Sequence, residues 1–135
     1  MLKVLIAEDD ALIAALLEEV LTDAGYEIVG IARTATEAVV LGLDSKPDLA
    51  ILDMNLADGS LGTEIAARLN DAKLGVLYAT ASKVRLTAAN GHGCIRKPYT
   101  PVDLLRGLEV VIDILATGQA TPPLPVALEV LQPAA

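Results

Sequence analysis

Residues 4–10 read Val-Leu-Ile-Ala-Glu-Asp-Asp, an uncharged apolar run that stops abruptly at three carboxylates. A continuous apolar run is typical of a strand that is buried on both faces of a parallel sheet. Apolar residues then recur at helical spacing up to a glycine, the usual residue just beyond a helix end. These positions are Ile13, Leu16, Leu17, Val20, Ala24 and Gly25. The stretch therefore predicts a strand and a helix with an acidic turn between them.

The alternation of strand and helix continues along the chain, five times in all. Further strands are predicted at residues 27–32, 48–53, 74–79 and 94–96, and further helices at 34–43, 61–70, 83–89 and 102–115. Thr34 is a candidate N-cap, and Pro101 occupies a first-turn position that proline favours. This alternation predicts an α/β fold with a parallel sheet and helices on both faces. The active crevice of such a sheet lies at the carboxyl ends of its strands.

Bulk composition limits the class of protein. The 135 residues predict one domain, and a hydrophobic content of 53% excludes disorder for most of the chain. The net charge of −8 disfavours direct nucleic-acid binding, because an acidic surface repels phosphates. The single cysteine excludes an internal disulfide, and neither a signal peptide nor a membrane span is visible. The expected compartment is a reducing cytoplasm.

The C-terminal region divides into a last helix and a tail. We expect a domain over residues 1–117 and a Pro-rich tail over residues 118–135 without an output domain. The predicted core face of the last helix contains Leu104, Leu105, Leu108, Val111, Ile112 and Leu115, while Val110 and Ile114 fall on a flank. That flank could be covered by a partner, by a second copy or by residues 126–131, or it could be ordinary half-exposed surface. A homodimer through the face of the predicted helices 83–89 and 102–115 is one hypothesis.

Polar side chains follow four of the predicted strands. Glu8 and Asp9 follow the first strand, Asp53 ends the third, Thr80 ends the fourth and Lys97 follows the fifth. Three clustered carboxylates repel one another and need a cation, and hard oxygen ligands favour Mg²⁺. Carboxylates are also covalent nucleophiles toward phosphoryl groups. The pattern therefore predicts phosphoryl transfer to Asp53, with Lys97 as a compact positive charge and Thr80 as a hydroxyl donor.

Over residues 1–117 the set Glu8-Asp9, Asp53, Thr80-Ala81 and Lys97-Pro98 resembles the receiver domain of two-component response regulators. The resemblance implies a doubly wound, flavodoxin-like fold with five parallel strands in the order 2-1-3-4-5. It also implies a single-domain response regulator that accepts its phosphoryl group from a histidine kinase or a phosphotransfer protein. A further implication is that the backbone carbonyl of Asn55 joins Glu8, Asp9 and Asp53 as a Mg²⁺ ligand. Signalling would then act in trans, by protein binding or phosphorelay, with the chain as a phosphoacceptor rather than a turnover enzyme.

Two positions depart from the family pattern. Cys94 stands where the family usually has an aromatic residue, whose ring swings inward when the threonine that corresponds to Thr80 moves. Ala57 stands where the family often has a proline. Cys94 cannot make the same motion, so Tyr78, Tyr99 or residues 83–89 are the candidates for transmitting the signal.

Each candidate also has a plainer interpretation. Asp53 could cap a strand, and Glu8 and Asp9 could cap a helix, although Asp10 is better placed for that. Thr80 could be an ordinary threonine at a strand end, and Lys97 could be a solvated surface lysine. His92 is best interpreted as a turn residue and Cys94 as a small packing residue.

Two other functions compete with the receiver hypothesis. One is a pseudo-receiver, a constitutive interaction module with a relic site. The other is a haloacid-dehalogenase-type phosphatase, which needs an acid two residues after the nucleophile, where this chain has Asn55.

Overall fold

Strands and helices alternate as the hydrophobic pattern predicts, and the computed structural model describes residues 1–134. The strands are β1 (Lys3–Ala7), β2 (Glu27–Ala32), β3 (Leu49–Asp53), β4 (Gly75–Thr80), β5 (Gly93–Arg96) and β6 (Leu128–Val130). The helices are α1 (Ala11–Asp23), α2 (Ala35–Ser45), α3 (Gly62–Leu69) and α4 (Pro101–Thr117). In this part of the chain no helix combines the length and the apolar character needed to cross a bilayer.

The strands form one sheet in the order β2-β1-β3-β4-β5-β6. The first five are parallel, which confirms the predicted order 2-1-3-4-5. The prediction of only five strands was incomplete, because β6 pairs antiparallel with β5, with Cys94 opposite Glu129. The sequence predicts only a Pro-rich tail over residues 118–135, because a strand of three residues is too short to show periodicity.

Apolar side chains form one layer on each face of the sheet. One layer lies under α2 and α3 and contains Ala38, Ile65 and the fully buried Tyr78. The other lies under α1 and α4 and contains Leu17, Leu21 and Leu108. Strands β1, β3 and β4 are buried on both sides, as their continuous apolar runs predict.

Side-chain caps start the helices where the sequence places them. The Asp10 carboxylate accepts hydrogen bonds from the backbone N–H groups of Leu12 and Ile13 at 2.9 and 3.2 Å. Thr34 caps α2 by accepting a hydrogen bond from the N–H of Glu37. Because Asp10 is the cap of α1, the capping role offered as a plainer explanation for Glu8 and Asp9 is not needed.

The helix predicted at residues 83–89 is wrong. Residues 83–87 are irregular and a turn follows, in which the N–H of Asn90 bonds the carbonyl of Thr87. The N–H of Ala88 bonds the carbonyl of Gln132 in the tail, so a long-range partner takes a donor that a helix would use internally. A helix of two turns has little stability of its own, and this pairing outweighs it. The face proposed for a homodimer therefore lacks one of its two helices, and the homodimer itself stays a prediction.

The tail packs back onto α4 instead of extending away. The Arg106 guanidinium donates hydrogen bonds to the carbonyls of Thr121 and Pro123, and Leu128 lies over Gly107. Val110, one turn farther along α4, is buried, so the alternative that it is ordinary half-exposed surface is wrong. Leu128, within the segment 126–131 that was considered as a covering, lies against α4 at Gly107.

We expect Leu131→Ala to lower the free energy of unfolding by about 2 kcal/mol, because it removes a buried side chain from the core. Leu131 is 6% exposed and belongs to the layer that contains Tyr78. Val126 is 95% exposed in the same tail, so Val126→Ala is the matched control and should change stability by less than about 0.5 kcal/mol. Urea denaturation followed by circular dichroism measures both. Equal effects would show that the tail does not pack as described.

Candidate functional site

The acidic cluster arises from the register of two neighbouring parallel strands. Ala7 of β1 pairs with Leu52 of β3, so the next residues, Glu8 and Asp53, lie side by side at the carboxyl edge of the sheet. Asp9 follows in the turn to α1. Carboxylate oxygens of Glu8, Asp9 and Asp53 all lie within 4.8 Å of one another. The sequence prediction that these three side chains converge is confirmed.

Glu8 is the deeply buried member of the cluster, at 3% exposure. Burial, together with a hydrogen bond and charge repulsion from Asp53, raises the pKa of Glu8 to about 7, against the opposing effect of Lys97. Near neutral pH, Glu8 is therefore poised between its acid and carboxylate forms.

Lys97 joins two of the three carboxylates. Its Nζ lies 2.8 Å from Oε1 of Glu8 and 3.4 Å from Oδ2 of Asp53. The backbone N–H of Lys97 bonds the carbonyl of Thr80, which fixes the turn after β5 against the end of β4. Burial alone would lower the pKa of Lys97, but the hydrogen bond to Glu8 and the charge of Asp53 outweigh it and raise that pKa. Lys97 is thus a charged ammonium between the acids, not a solvated surface lysine.

Thr80 is the last residue of β4 and is 5% exposed. Since Asp53 pairs with Ala79, Thr80 lies one residue beyond the strand partner of Asp53. Its hydroxyl oxygen accepts a hydrogen bond from the N–H of Ser82 at 3.1 Å. The hydroxyl that was predicted to contact a phosphoryl group is therefore tied, in this state, to the segment that leaves β4.

Gly62 is a site residue that the sequence analysis missed. It is the first residue of α3, and its N–H bonds the carbonyl of Met54 in the loop after Asp53. A Cβ at Gly62 would lie 2.3 Å from the carbonyl oxygen of Asp53, a contact that no side chain tolerates. Glycine disfavours helices, so its presence at a helix start was the available signal for a close backbone approach. Asn55 lies in the same loop, bridged to Leu61.

The two tyrosines considered as signal transmitters differ in their surroundings. The Tyr78 hydroxyl donates a 2.6 Å hydrogen bond to the carbonyl of Asn90, and the ring is fully buried. The Tyr99 hydroxyl is buried without a hydrogen-bond partner among residues 1–134, and burial raises the pKa of Tyr99 to about 12. Tyr78 is therefore anchored, whereas Tyr99 has a donor free to engage a new acceptor.

Cys94 and His92 both serve packing and turn geometry. Cys94 is half-buried against the layer that contains Tyr78, and burial raises the pKa of its thiol, which disfavours the reactive thiolate. His92 Nδ1 accepts a hydrogen bond from the N–H of Val76 at 3.0 Å, so this histidine holds the entry to β4 beside the turn.

Comparison with known proteins identifies the class. Residues 4–109 match the response regulator receiver domain family, and the chain belongs to it. Receiver domains of this family are signalling domains, and the prediction of a receiver fold is confirmed; the prediction of phosphoacceptor signalling is consistent with the match.

Particular relatives narrow the comparison. The chain is 39% identical over 116 residues to the transcriptional regulatory protein PdtaR of Mycobacterium tuberculosis. The matched region covers 82% of this chain and 56% of PdtaR. It is 37% identical over 107 residues to the phyllosphere-induced regulator PhyR of Methylorubrum extorquens, covering 76% of this chain and 40% of PhyR. The chain thus spans about half the length of these curated relatives. Among solved structures, the signal receiver domain of a modulated diguanylate cyclase from Desulfovibrio desulfuricans superposes with a TM-score of 0.76 at 31% identity, covering 88% of this chain and 99% of that one.

Proposed function

We propose that this chain accepts a phosphoryl group on Asp53 from the phosphohistidine of a histidine kinase or a phosphotransfer protein. Its phosphorylated form then signals in trans, by binding another protein or by passing the phosphoryl group on. The observation that carries the proposal is the position of Lys97 Nζ, 2.8 Å from Glu8 and 3.4 Å from Asp53 at the edge where three carboxylates converge. A half-buried cation beside a carboxylate nucleophile is the electrostatic arrangement that phosphoryl transfer requires.

The donor set fits Mg²⁺. Glu8, Asp9 and Asp53 supply hard carboxylate oxygens from one small region, and the carbonyl of Asn55 lies in the loop directly after Asp53. We propose these four residues as the ligands. When bound, the ion neutralises charge on the acids and on the transferring phosphoryl oxygens.

The transfer itself follows from the placement of the side chains. A carboxylate oxygen of Asp53 attacks phosphorus, the P–N bond of phosphohistidine breaks, and its electron pair stays on the imidazole nitrogen. The product is an acyl phosphate on Asp53. Lys97 already lies beside Asp53 Oδ2, so its ammonium neutralises charge that moves onto the phosphoryl oxygens. Hydrolysis of the acyl phosphate resets the domain.

The route from Asp53 to the surface runs through the backbone after β4. The Thr80 hydroxyl donates its one proton to the carbonyl of Ser82 at 3.4 Å, and it can donate to a phosphoryl oxygen only by giving up that bond. That loss frees the irregular segment, whose Ala88 is hydrogen-bonded to Gln132 of the tail. We propose that this segment and β6 replace the aromatic switch that Cys94 cannot provide, by shifting an existing two-state equilibrium.

A phosphoryl mimic tests the proposal. Beryllofluoride added with Mg²⁺ to ¹⁵N-labelled protein should shift the amide resonances of Asp53, Thr80, Ser82 and Lys97. Beryllofluoride without Mg²⁺ is the control and should leave them unchanged. A spectrum that stays the same under both conditions would refute phosphoryl acceptance at this site and favour the pseudo-receiver.

Mg²⁺ affinity should rise with pH. Because the pKa of Glu8 is about 7, the ion displaces a proton below that pH, and affinity should fall up to about tenfold per pH unit from pH 7 to pH 5. In the ion-free protein, the contribution of Glu8 to the free energy of unfolding changes with pH in the opposite direction. A carboxyl with a raised folded-state pKa binds more protons in the folded state, so its contribution to stability falls as pH rises from about 4.5 to 7. Isothermal titration calorimetry at several pH values, with Glu8→Gln as the variant that loses the dependence, measures the first effect. An affinity that does not vary with pH would contradict it.

The phosphatase alternative gains no support from the site. Asn55, two residues after Asp53, cannot transfer a proton, and Asp53 ends the third strand of the chain. Turnover of p-nitrophenyl phosphate with Mg²⁺ would be the result that revives it.

A further inference from the structure

A cleft of about 590 Å³ lies beside the end of β4, and none of the three carboxylates of the acidic cluster lines it. Its floor comes from Thr80, Cys94 and Arg96 on β4 and β5, and one wall from Glu129 on β6. The opposite wall is the irregular segment after β4, which contributes Lys83 and Arg85.

The cleft exists because of two features of this chain. Residues 83–87 form no helix, so this part of the sheet face has only an irregular segment over it. At the same time β6 extends the sheet past β5 and adds a wall, with the N–H of Arg96 bonded to the carbonyl of Ala127. The cleft therefore lies between a loop and an added strand, at a place where the predicted helix would have covered the sheet.

The charge of the cleft is opposite to that of the protein. Lys83, Arg85 and Arg96 line it against one carboxylate, Glu129, although the chain as a whole carries a net charge of −8. All three cations are exposed, and none forms an ion pair within the part of the chain that the structure describes. Unpaired arginines near one another are suited to bind carboxylates, since each guanidinium presents two parallel N–H donors.

We propose that this cleft docks an acidic peptide segment of a partner protein. Carboxylates of the segment pair with Arg85, Arg96 and Lys83, and its apolar side chains contact Val84 and Leu86 in the same walls. A short peptide meets only the local positive charge, whereas a nucleic acid would also meet the acidic remainder of the surface.

Docking does not depend on phosphoryl acceptance. The cleft and the acidic cluster use different charged residues, so a negative test of docking would leave the phosphoacceptor proposal intact, and the reverse also holds. They share Thr80, which lines the cleft, and a docked segment would therefore contact the residue that the proposed switch moves.

A titration with a defined acidic probe tests the proposal. End-capped hexaglutamate added to ¹⁵N-labelled protein without Mg²⁺ should shift the amide resonances of Thr80, Arg96 and Glu129 in a salt-sensitive manner. The double variant Arg85→Glu/Arg96→Glu should weaken binding at least about tenfold, because attraction becomes repulsion. Lys73→Glu changes an exposed cation outside the cleft and is the matched control, which should bind as the wild type does.

Three results would overturn the proposal. The first is an absence of shifts in the cleft at hexaglutamate concentrations that saturate other sites. The second is equal weakening by Lys73→Glu, which would indicate only general charge attraction. The third is tighter binding of a single-stranded oligonucleotide of the same charge. Dispersed amide spectra of both variants establish that they are folded, and Arg96→Gln provides a milder variant with an intermediate expected loss.

Discussion

Asp53→Asn should abolish labelling of this protein by the small phosphodonor acetyl phosphate in the presence of Mg²⁺. The amide lacks the carboxylate oxygen that attacks phosphorus, and it removes one charge from the cation site. The fold should survive, because the change also relieves repulsion with the buried Glu8, on which Asp53 acts to raise the pKa. Intact-protein mass spectrometry measures the labelling directly.

Asp58→Asn is the matched control. Asp58 is an exposed carboxylate in the loop after Asp53 and is hydrogen-bonded to Ser60. We expect labelling of this variant to remain near the wild-type level. If Asp53→Asn were still labelled, the acceptor would lie elsewhere. If Asp58→Asn also lost labelling, the loss could be caused by a change in the loop rather than by removal of the nucleophile.

Gly62→Ala should damage both stability and phosphoryl acceptance. Its Cβ would lie 2.3 Å from the carbonyl oxygen of Asp53, so the backbone must shift where the nucleophile is attached. Overpacking of this kind costs about 1–3 kcal/mol. Displacement of the nucleophile should slow labelling by acetyl phosphate on the order of tenfold or more. Urea denaturation and the rate of mass increase measure the two effects.

Gly107→Ala provides the comparison for that variant. Gly107 is also buried in a helix, but a Cβ there would meet only side-chain atoms of Leu77 and Leu128, at 3.6 Å or more. Alanine favours the helix interior, so we expect a gain of roughly 0.5–1 kcal/mol and unchanged labelling. If both variants behaved alike, the contact with Asp53 would not be the cause of the loss at Gly62.

Most of the fold could be predicted because its signals are local. The apolar runs of β1 and β3 and the caps Asp10 and Thr34 are readable from a few adjacent residues. The convergence of Glu8 and Asp53 needed one further rule, that carboxyl ends of neighbouring parallel strands share an edge. Long-range pairing is therefore predictable where a regular topology imposes it.

The features that escaped prediction depend on contacts between distant segments. Residues 83–89 have a helical pattern, yet Ala88 pairs with Gln132, and only the folded tail supplies that partner. Gly62 is needed for a backbone approach to Asp53 that no spacing rule reveals. Each depends on where the chain returns in space, which periodicity does not encode.

The location of the acyl phosphate tests the central claim most directly. Protein treated with acetyl phosphate and Mg²⁺ is reduced with borohydride, which converts a phosphorylated aspartate to homoserine, and its peptides are sequenced by mass spectrometry. We predict homoserine at position 53 and at no other aspartate. Homoserine at Asp9 or elsewhere with none at Asp53, or no homoserine in protein that has gained a phosphoryl group, would contradict the assignment.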